Sequence, residues 1–181
     1  PGEGEELSFF MPLLYPELLR NRITDITLED LRALGVKGLL LDVDNTLALH
    51  GSQVLDPAVE DWLQKMRKAG IRLTVVSNAL PRRVAPFAGR IGLRHVAFSC
   101  KPFPLAYWRG ARRLALPLRE CAIVGDQTFT DIRGGNISGV HTIQLLPIQK
   151  ENNAVARFTR RLEDRVLKRY REKQQRGKSD G

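Results

Sequence analysis

The chain alternates between two patterns. Short apolar runs ending in small or polar residues alternate with longer stretches whose apolar positions recur at helical spacing. The runs are KGLLLDV (37–43), IRLTVVSN (71–78), HVAF (95–98), CAIVGD (121–126) and HTIQLL (141–146). The first has apolar residues on both faces, as a strand at the centre of a parallel sheet does. Helices are predicted between them. TLEDLRALG (27–35) has Thr27 as cap, Asp30 at capping-box spacing and Gly35 as stop. DPAVEDWLQKMRKAG (56–70) has Asp56 as cap, Pro57 at the first helical position and Gly70 as stop. PRRVAPFAGRIG (81–92) is helical with Pro86 disturbing an interior turn, PLAYWRGARRLA (104–115) is a helix, and FTDIRGGNISG (129–139) is a helix that loosens at its glycines. Such β–α alternation predicts an α/β fold, an open parallel sheet with helices on both faces.

Three segments follow: an N-terminal arm and short helix over 1–36, a core over 37–149, and a basic C-terminal helix with a disordered tail over 150–181. The arm, FFMPLLYPELL, is apolar but broken by Pro12 and Pro16, and suits either packing on the domain or contact with a membrane. The chain of 181 residues, 43% hydrophobic, is long enough for one full core. No apolar run reaches the roughly 18 residues of a membrane span. The start lacks a basic n-region, and the cysteines are only Cys100 and Cys121, so a cytoplasmic, reducing setting is expected. Net charge is +9, and Arg157–Gly181 alone holds ten Lys or Arg against four Asp or Glu, so the tail is read as seeking anionic surfaces.

Ligands of an open α/β sheet bind beyond the carboxyl ends of its strands. There the sequence places Asp42, Asp44 and Thr46 after the first run, Ser77 and Asn78 after the second, Lys101 after the third, and Asp126 with Asp131 after the fourth. Four converging carboxylates call for a cation, and hard oxygen ligands suit Mg²⁺. A lysine and a hydroxyl beside them suit a phosphate, which together makes a phosphoryl-transfer site. Taken singly, each residue has an ordinary explanation: a turn for Ser77–Asn78, a solvated charge for Lys101, a first-turn helix acid for Asp131, a structural thiol for Cys100.

In order, DxDxT, Ser/Asn, Lys and GDxxxD resemble the haloacid dehalogenase-like (HAD) phosphatases, over about Gly38 to Leu145. The resemblance implies a Rossmann-type fold with Asp42 as the nucleophile that forms an aspartyl-phosphate. Asp44 would protonate the leaving oxygen and then activate water. Ser77, Asn78 and Lys101 would bind the phosphoryl group, and Thr46 would brace the loop. Mg²⁺ would be held by Asp42, Asp126 and the backbone carbonyl of Asp44, with Asp131 supporting. Relatives that carry cap domains insert them after the first motif or between the second and third. Here the first loop is short and only 23 residues separate Ser77 from Lys101, so no cap domain is expected. The pieces PELL.NRITDITLEDLRALGVKGLLLDVDNTL, GDQTFTDIRGGNISGVHTIQLLPI and RFTRRLEDRVL are similar to the YqeG-type HAD subfamily IIIA, whose members include phosphatidylglycerophosphate phosphatases. This implies a lipid phosphate as substrate.

The last helical stretch places Val155, Phe158, Leu162, Val166 and Tyr170 on one stripe with arginines around it. It suits either docking on the domain with a solvated basic face or peripheral contact with an anionic membrane. Nucleic acid is disfavoured, since neither a stacking platform nor a recognition motif is present. The competing function is a non-catalytic or differently specific HAD protein whose basic tail docks on RNA or an acidic protein. The presence of Asp44 weighs against it, because a binder has no need of a proton donor. A phosphate-receiver domain fits poorly, since its acids are not arranged as DxD with a later GDxxxD.

Overall fold

The computed structural model describes residues 11–49, 54–148 and 154–179. Among the described residues, six strands form one all-parallel sheet: β1 (Leu18–Arg20), β2 (Gly38–Leu41), β3 (Arg72–Val76), β4 (Arg94–Val96), β5 (Cys121–Gly125) and β6 (His141–Leu145), in the order β1-β6-β5-β2-β3-β4. β2 lies between β5 and β3, with Leu40 opposite Ile123 on one side and Thr74 on the other. Its four residues are all buried, as its two-faced apolar pattern requires.

The helices are α1 (Leu28–Ala33), α2 (Pro57–Lys68), α3 (Pro81–Arg90), α4 (Pro104–Leu114), α5 (Arg133–Ser138) and α6 (Ala154–Ser179). Leu31 of α1, Val59, Trp62, Leu63 and Met66 of α2, and Val84 and Phe87 of α3 pack with Leu39, Leu41 and Val75 on one face. Ala106, Tyr107, Ala111 and Leu114 of α4 pack with Leu40, Val76 and Ile123 on the other. Trp62 is tied in by its indole, which donates to the Ile26 carbonyl at 2.9 Å. Among the described residues no cap domain is inserted in either of the two places.

The capping box closes α1: Asp30 N donates to Thr27 Oγ1 (3.1 Å) and Thr27 N to Asp30 Oδ2 (3.0 Å). Asp56 caps α2 through Ala58 N at 2.8 Å. α3 runs through Pro86, because only the bond to the Arg82 carbonyl is lost there while Val84, Phe87 and Ala88 stay buried.

Three expectations are corrected. The stretch 129–139 does not loosen at its glycines. It opens with a π turn, Thr128–Ile132, in which Ile132 N donates to Gln127 O at 3.3 Å, and then becomes α5. The glycines are the tight part: a Cβ on Gly134 would stand 2.7 Å from the Pro102 carbonyl oxygen and 2.8 Å from its Cα. Second, segment 1–36 is more than an arm and a helix, since it supplies strand β1, paired with β6. Asn136 Nδ2 donates to the Leu13 and Tyr15 carbonyls (2.8 and 3.0 Å), so the described part of the arm packs on the domain; Phe9 and Phe10 lie outside the described residues. Third, the expected disordered tail is helical through Ser179, carried by the good helix formers Glu172 to Arg176. α6 docks through Val166, Leu167 and Tyr170, whose ring lies 5.7 Å from that of Tyr15. Of the expected stripe, Val166 and Tyr170 are buried and Leu162 is half-buried, but Phe158 is 62% exposed, and Glu163 is buried beside them. The Val155 side chain lies outside the described residues.

Candidate active site

The loops after β2, β3, β4 and β5 meet at the carboxyl edge of the sheet. After β2 the chain folds into a tight turn: the Val43 carbonyl accepts from Thr46, Leu47 and Ala48, and Asn45 takes a left-handed conformation (φ 56°). Asp42 is fixed by its own N–H, which donates to Val124 O at 3.0 Å. After β5, Asp126 follows directly, and the π turn brings Asp131 back over Gly125. A Cβ on Gly125 would fall 2.2 Å from Asp131 Oδ2, so that position must be glycine for the carboxylate to sit there. Tyr107 braces the π turn by donating to Thr130 O at 2.6 Å; burial, together with Asp131 and Asp42, pushes its phenol pKa upward.

Three carboxylates, Asp42, Asp126 and Asp131, each offer an oxygen within 4.8 Å of the others, and all are buried. Lys101 Nζ reaches between two of them, donating to Asp42 Oδ1 (2.8 Å) and Asp131 Oδ1 (2.7 Å). Burial pushes Asp42 up to about 6, with Asp131 adding to the rise and Lys101 opposing it. Burial also pushes Asp126 up to about 8, against the pull of Arg160. Lys101 would be lowered by burial, but Asp131 and Asp42 more than offset this, and its pKa is raised. The group is thus a crowd of acids short of positive charge.

A divalent cation fits this set. The donors are hard oxygens, and Asp126 Oδ1 is a buried acceptor with no hydrogen-bond partner among the described residues. The residues placed to hold it are Asp42, Asp126 and Asp131. The Asp44 carboxylate is not in this cluster; it is ion-paired with Arg83 of α3.

Ser77 is buried, and its Oγ accepts from Ala79 N at 3.2 Å, which leaves its proton available. The Asn78 side chain also has a structural task. Its Oδ1 accepts from Lys101 N (2.7 Å) and Ser99 Oγ (2.8 Å), and its Nδ2 donates to Lys101 O (3.0 Å). Its amide clamps the lysine loop. Thr46 shapes its turn through its N–H, bonded to Val43 O at 3.3 Å; its hydroxyl finds no partner among the described residues.

Two arginines at the site were not anticipated. Arg83 pairs with Asp44, and Arg160, from α6, donates Nη2 to Asp126 Oδ2 (2.6 Å) and Nη1 to the Asp126 carbonyl (2.9 Å) and to Glu163 Oε2 (2.9 Å). Glu163 Oε1 also accepts from Phe129 N at 3.4 Å. The one available signal was Glu163, a charged residue among positions that read as one face of a docked helix.

A buried aspartate on a DxDxT turn, a lysine braced between acids and a GDxxxD cluster, all on one edge of a parallel sheet, are the parts of a HAD hydrolase. The family model for haloacid dehalogenase-like hydrolases matches residues 13–139, and the chain belongs to this family. Among named relatives, it is 36% identical to the probable phosphatase YqeG of Bacillus subtilis, over 88% of this chain and 90% of that one. It is 28% identical to the chloroplastic/mitochondrial phosphatidylglycerophosphate phosphatase 1 of Arabidopsis thaliana, over 78% of this chain and 44% of that one. Solved structures with a similar fold include NagD from E. coli (TM-score 0.53, 13% identity, 64% of this chain and 90% of that one) and a 4-nitrophenylphosphatase from Thermotoga maritima (TM-score 0.54, 12% identity, 66% and 89%). The chain is accordingly a HAD-type phosphatase.

Proposed function

We propose that this phosphatase is a Mg²⁺-dependent phosphomonoesterase working through an aspartyl-phosphate on Asp42, with phosphatidylglycerophosphate as substrate. The observation that carries the catalytic part is the buried Asp42–Lys101–Asp131 cluster with Asp126 beside it. A nucleophilic carboxylate must be held ionised where a phosphate can reach it, and Lys101 offsets the burial that raises the Asp42 pKa. An Asp42 oxygen attacks phosphorus as the ester P–O bond breaks, and Asp44 gives its proton to the departing oxygen. Asp44 then takes a proton from water, whose oxygen attacks phosphorus and frees Asp42. The Lys101 ammonium and the Ser77 hydroxyl hold the phosphoryl oxygens, while Asn78 fixes the lysine loop. Arg83, paired with Asp44, stands where an incoming phosphate can draw it away and leave Asp44 able to carry a proton. A Mg²⁺ held by Asp42, Asp126, Asp131 and the Asp44 carbonyl would supply positive charge for the phosphoryl group.

Support for a lipid substrate comes from the similarity to phosphatidylglycerophosphate phosphatase 1 of Arabidopsis thaliana, from the capless site and from a neighbouring cavity. That cavity, of about 500 Å³, is lined by Leu47, Leu49, Val54, Leu55 and Ile148 together with Asn45 and Thr46 of the catalytic turn. Asn45 and Thr46 belong to the turn that carries Asp44, so a ligand in the cavity lies beside the catalytic loop. The test is phosphate release from a panel containing phosphatidylglycerophosphate, glycerol phosphate and soluble sugar phosphates. Phosphatidylglycerophosphate is expected to have the highest kcat/KM, by at least about tenfold over glycerol phosphate, the scale of one well-filled apolar contact set. Equal rates on the two glycerol esters would refute the lipid assignment.

A further inference from the structure

The tail does not hold most of the protein's positive field. From Trp62 to Arg119 the sequence has thirteen Lys or Arg and not one Asp or Glu; the charge summary hides this because residues 1–61 are strongly acidic. That stretch builds β3, α3, β4 and α4, the flank of the sheet that ends in edge strand β4. On its carboxyl-side rim stand the exposed apolar side chains Leu80, Phe98, Phe103 and Leu105, with Trp108 one turn below. Phe98, Phe103 and Leu105 are 60, 69 and 57% exposed; Phe98 N bonds to Ala79 O beside Leu80, and Phe103 N to Cys100 O in the loop that Phe98 opens. The loop carrying the two phenylalanines also supplies Lys101: its ammonium points inward while its neighbours project outward. Phe98 and Cys100 both take left-handed conformations there (φ 46° and 62°), a backbone cost that side chains other than glycine accept only where surrounding structure holds them.

We propose that this rim is the membrane-docking surface of the enzyme, taking an anionic phospholipid bilayer, and that it delivers lipid phosphates to Asp42. The proposal rests on the lipid-phosphate reading of the site. Leu80, Phe98, Phe103 and Leu105 enter the acyl boundary. Trp108, with the Arg112 guanidinium 5.3 Å from its ring centroid, sits at headgroup depth, and exposed Arg82 and Arg109 meet anionic headgroups. A bilayer fits better than nucleic acid. Two aliphatic side chains on the rim have no role in base stacking, whereas a bilayer takes four of these side chains into its acyl boundary and Trp108 at its headgroups. It also fits better than the chain termini, because the apolar face of α6 and the described part of the arm are packed on the domain.

The experiment is flotation of the full chain with vesicles of equimolar phosphatidylglycerol and phosphatidylcholine, and with phosphatidylcholine alone, at low and high salt. The wild type is expected to float with the anionic vesicles, less so at high salt. The Phe103→Gln/Leu105→Gln variant should need at least about tenfold more lipid for half-binding, the scale of withdrawing two large apolar side chains from an interface. Arg109→Glu/Arg112→Glu should remove the salt-sensitive part. Both variants should melt as the wild type does and hydrolyse 4-nitrophenyl phosphate at its rate, which keeps a folding defect apart. Failure of the wild type to float, undiminished flotation of the double-Gln variant, or tighter binding of a single-stranded RNA lost through the same substitutions would overturn the proposal. Flotation as expected without hydrolysis of phosphatidylglycerophosphate would retire the substrate and leave the surface standing.

Discussion

Replacing Arg160 tests whether the C-terminal helix belongs to the site. Arg160→Met removes the charge but keeps much of the stem, so the helix contact survives. It deletes two hydrogen bonds to Asp126 and one to Glu163. Asp126 then loses the group that holds its Oδ2, while its Oδ1 has no partner among the described residues. Removing such an outer hydrogen bond from a metal-binding carboxylate costs about 10–100-fold in metal affinity, or about 1.4–2.8 kcal/mol. An opposing effect is the relief of repulsion between Arg160 and the cation. It is small here, because Glu163, paired to Arg160 at 2.9 Å, cancels much of that charge at longer range. Mn²⁺ binding, followed by the loss of the free-ion EPR signal, should therefore weaken by at least about tenfold. Arg160→Lys should recover part of it, since one ammonium can replace one bond but not the forked pair. Tighter Mn²⁺ binding in Arg160→Met would show that the arginine competes with metal, and unchanged binding would show that it is irrelevant to the site; either refutes the positioning argument.

The metal-free protein should lose stability as pH rises. Asp42 and Asp126 have folded pKa values raised from 3.8 to about 6 and about 8, so the folded state binds more protons than the unfolded. Their contribution is full below pH 3.8 and is lost through pH 6 and then pH 8. Melting in chelator at pH 5.5 and 8.5 checks it: the stabilisation given by added Mg²⁺ should be larger at pH 8.5, and equal effects at the two values would contradict it. Turnover should vanish in excess chelator, return with Mg²⁺ and be inhibited by Ca²⁺, whose larger and looser shell suits this cluster less; steady-state phosphate release decides. Gly134→Ala should cost about 1–3 kcal/mol, because its Cβ would meet backbone atoms of Pro102. The expected readout is a melting temperature lower by roughly 2–12 °C, and an unchanged melt would count against the tight α5–Lys101 loop contact.

Local rules made much of this protein legible from its sequence. The capping box at Thr27, the Asp56–Pro57 start and the two-faced strand at Leu39–Leu41 each state their structure within a few residues, and parallel β–α alternation then places the strand-end acids on one edge. What escaped is non-local. β1 is three residues between Pro16 and Asn21, too short to show a period, and exists because β6 offers it an edge. Asn78 could not be read as a clamp without the lysine loop folded over it. The π turn at Thr128–Ile132 is set by Asp131 being drawn to Lys101, a contact 30 residues apart. In α6, Val166 and Tyr170 of the expected stripe are buried but Phe158 is not, and Glu163, which the apolar pattern did not single out, is buried against Phe129 N and Arg160.

The claim that Asp42 carries the phosphoryl group is tested most directly by trapping it. Enzyme turning over a phosphomonoester with Mg²⁺ is quenched in acid, reduced with borohydride and mapped by mass spectrometry. An aspartyl-phosphate is reduced to homoserine, whereas a free carboxylate is left unchanged. The account predicts homoserine at position 42, its absence when substrate is omitted, and no turnover in a folded Asp42→Asn protein. Homoserine at position 44, or near-wild-type turnover by Asp42→Asn, would contradict it.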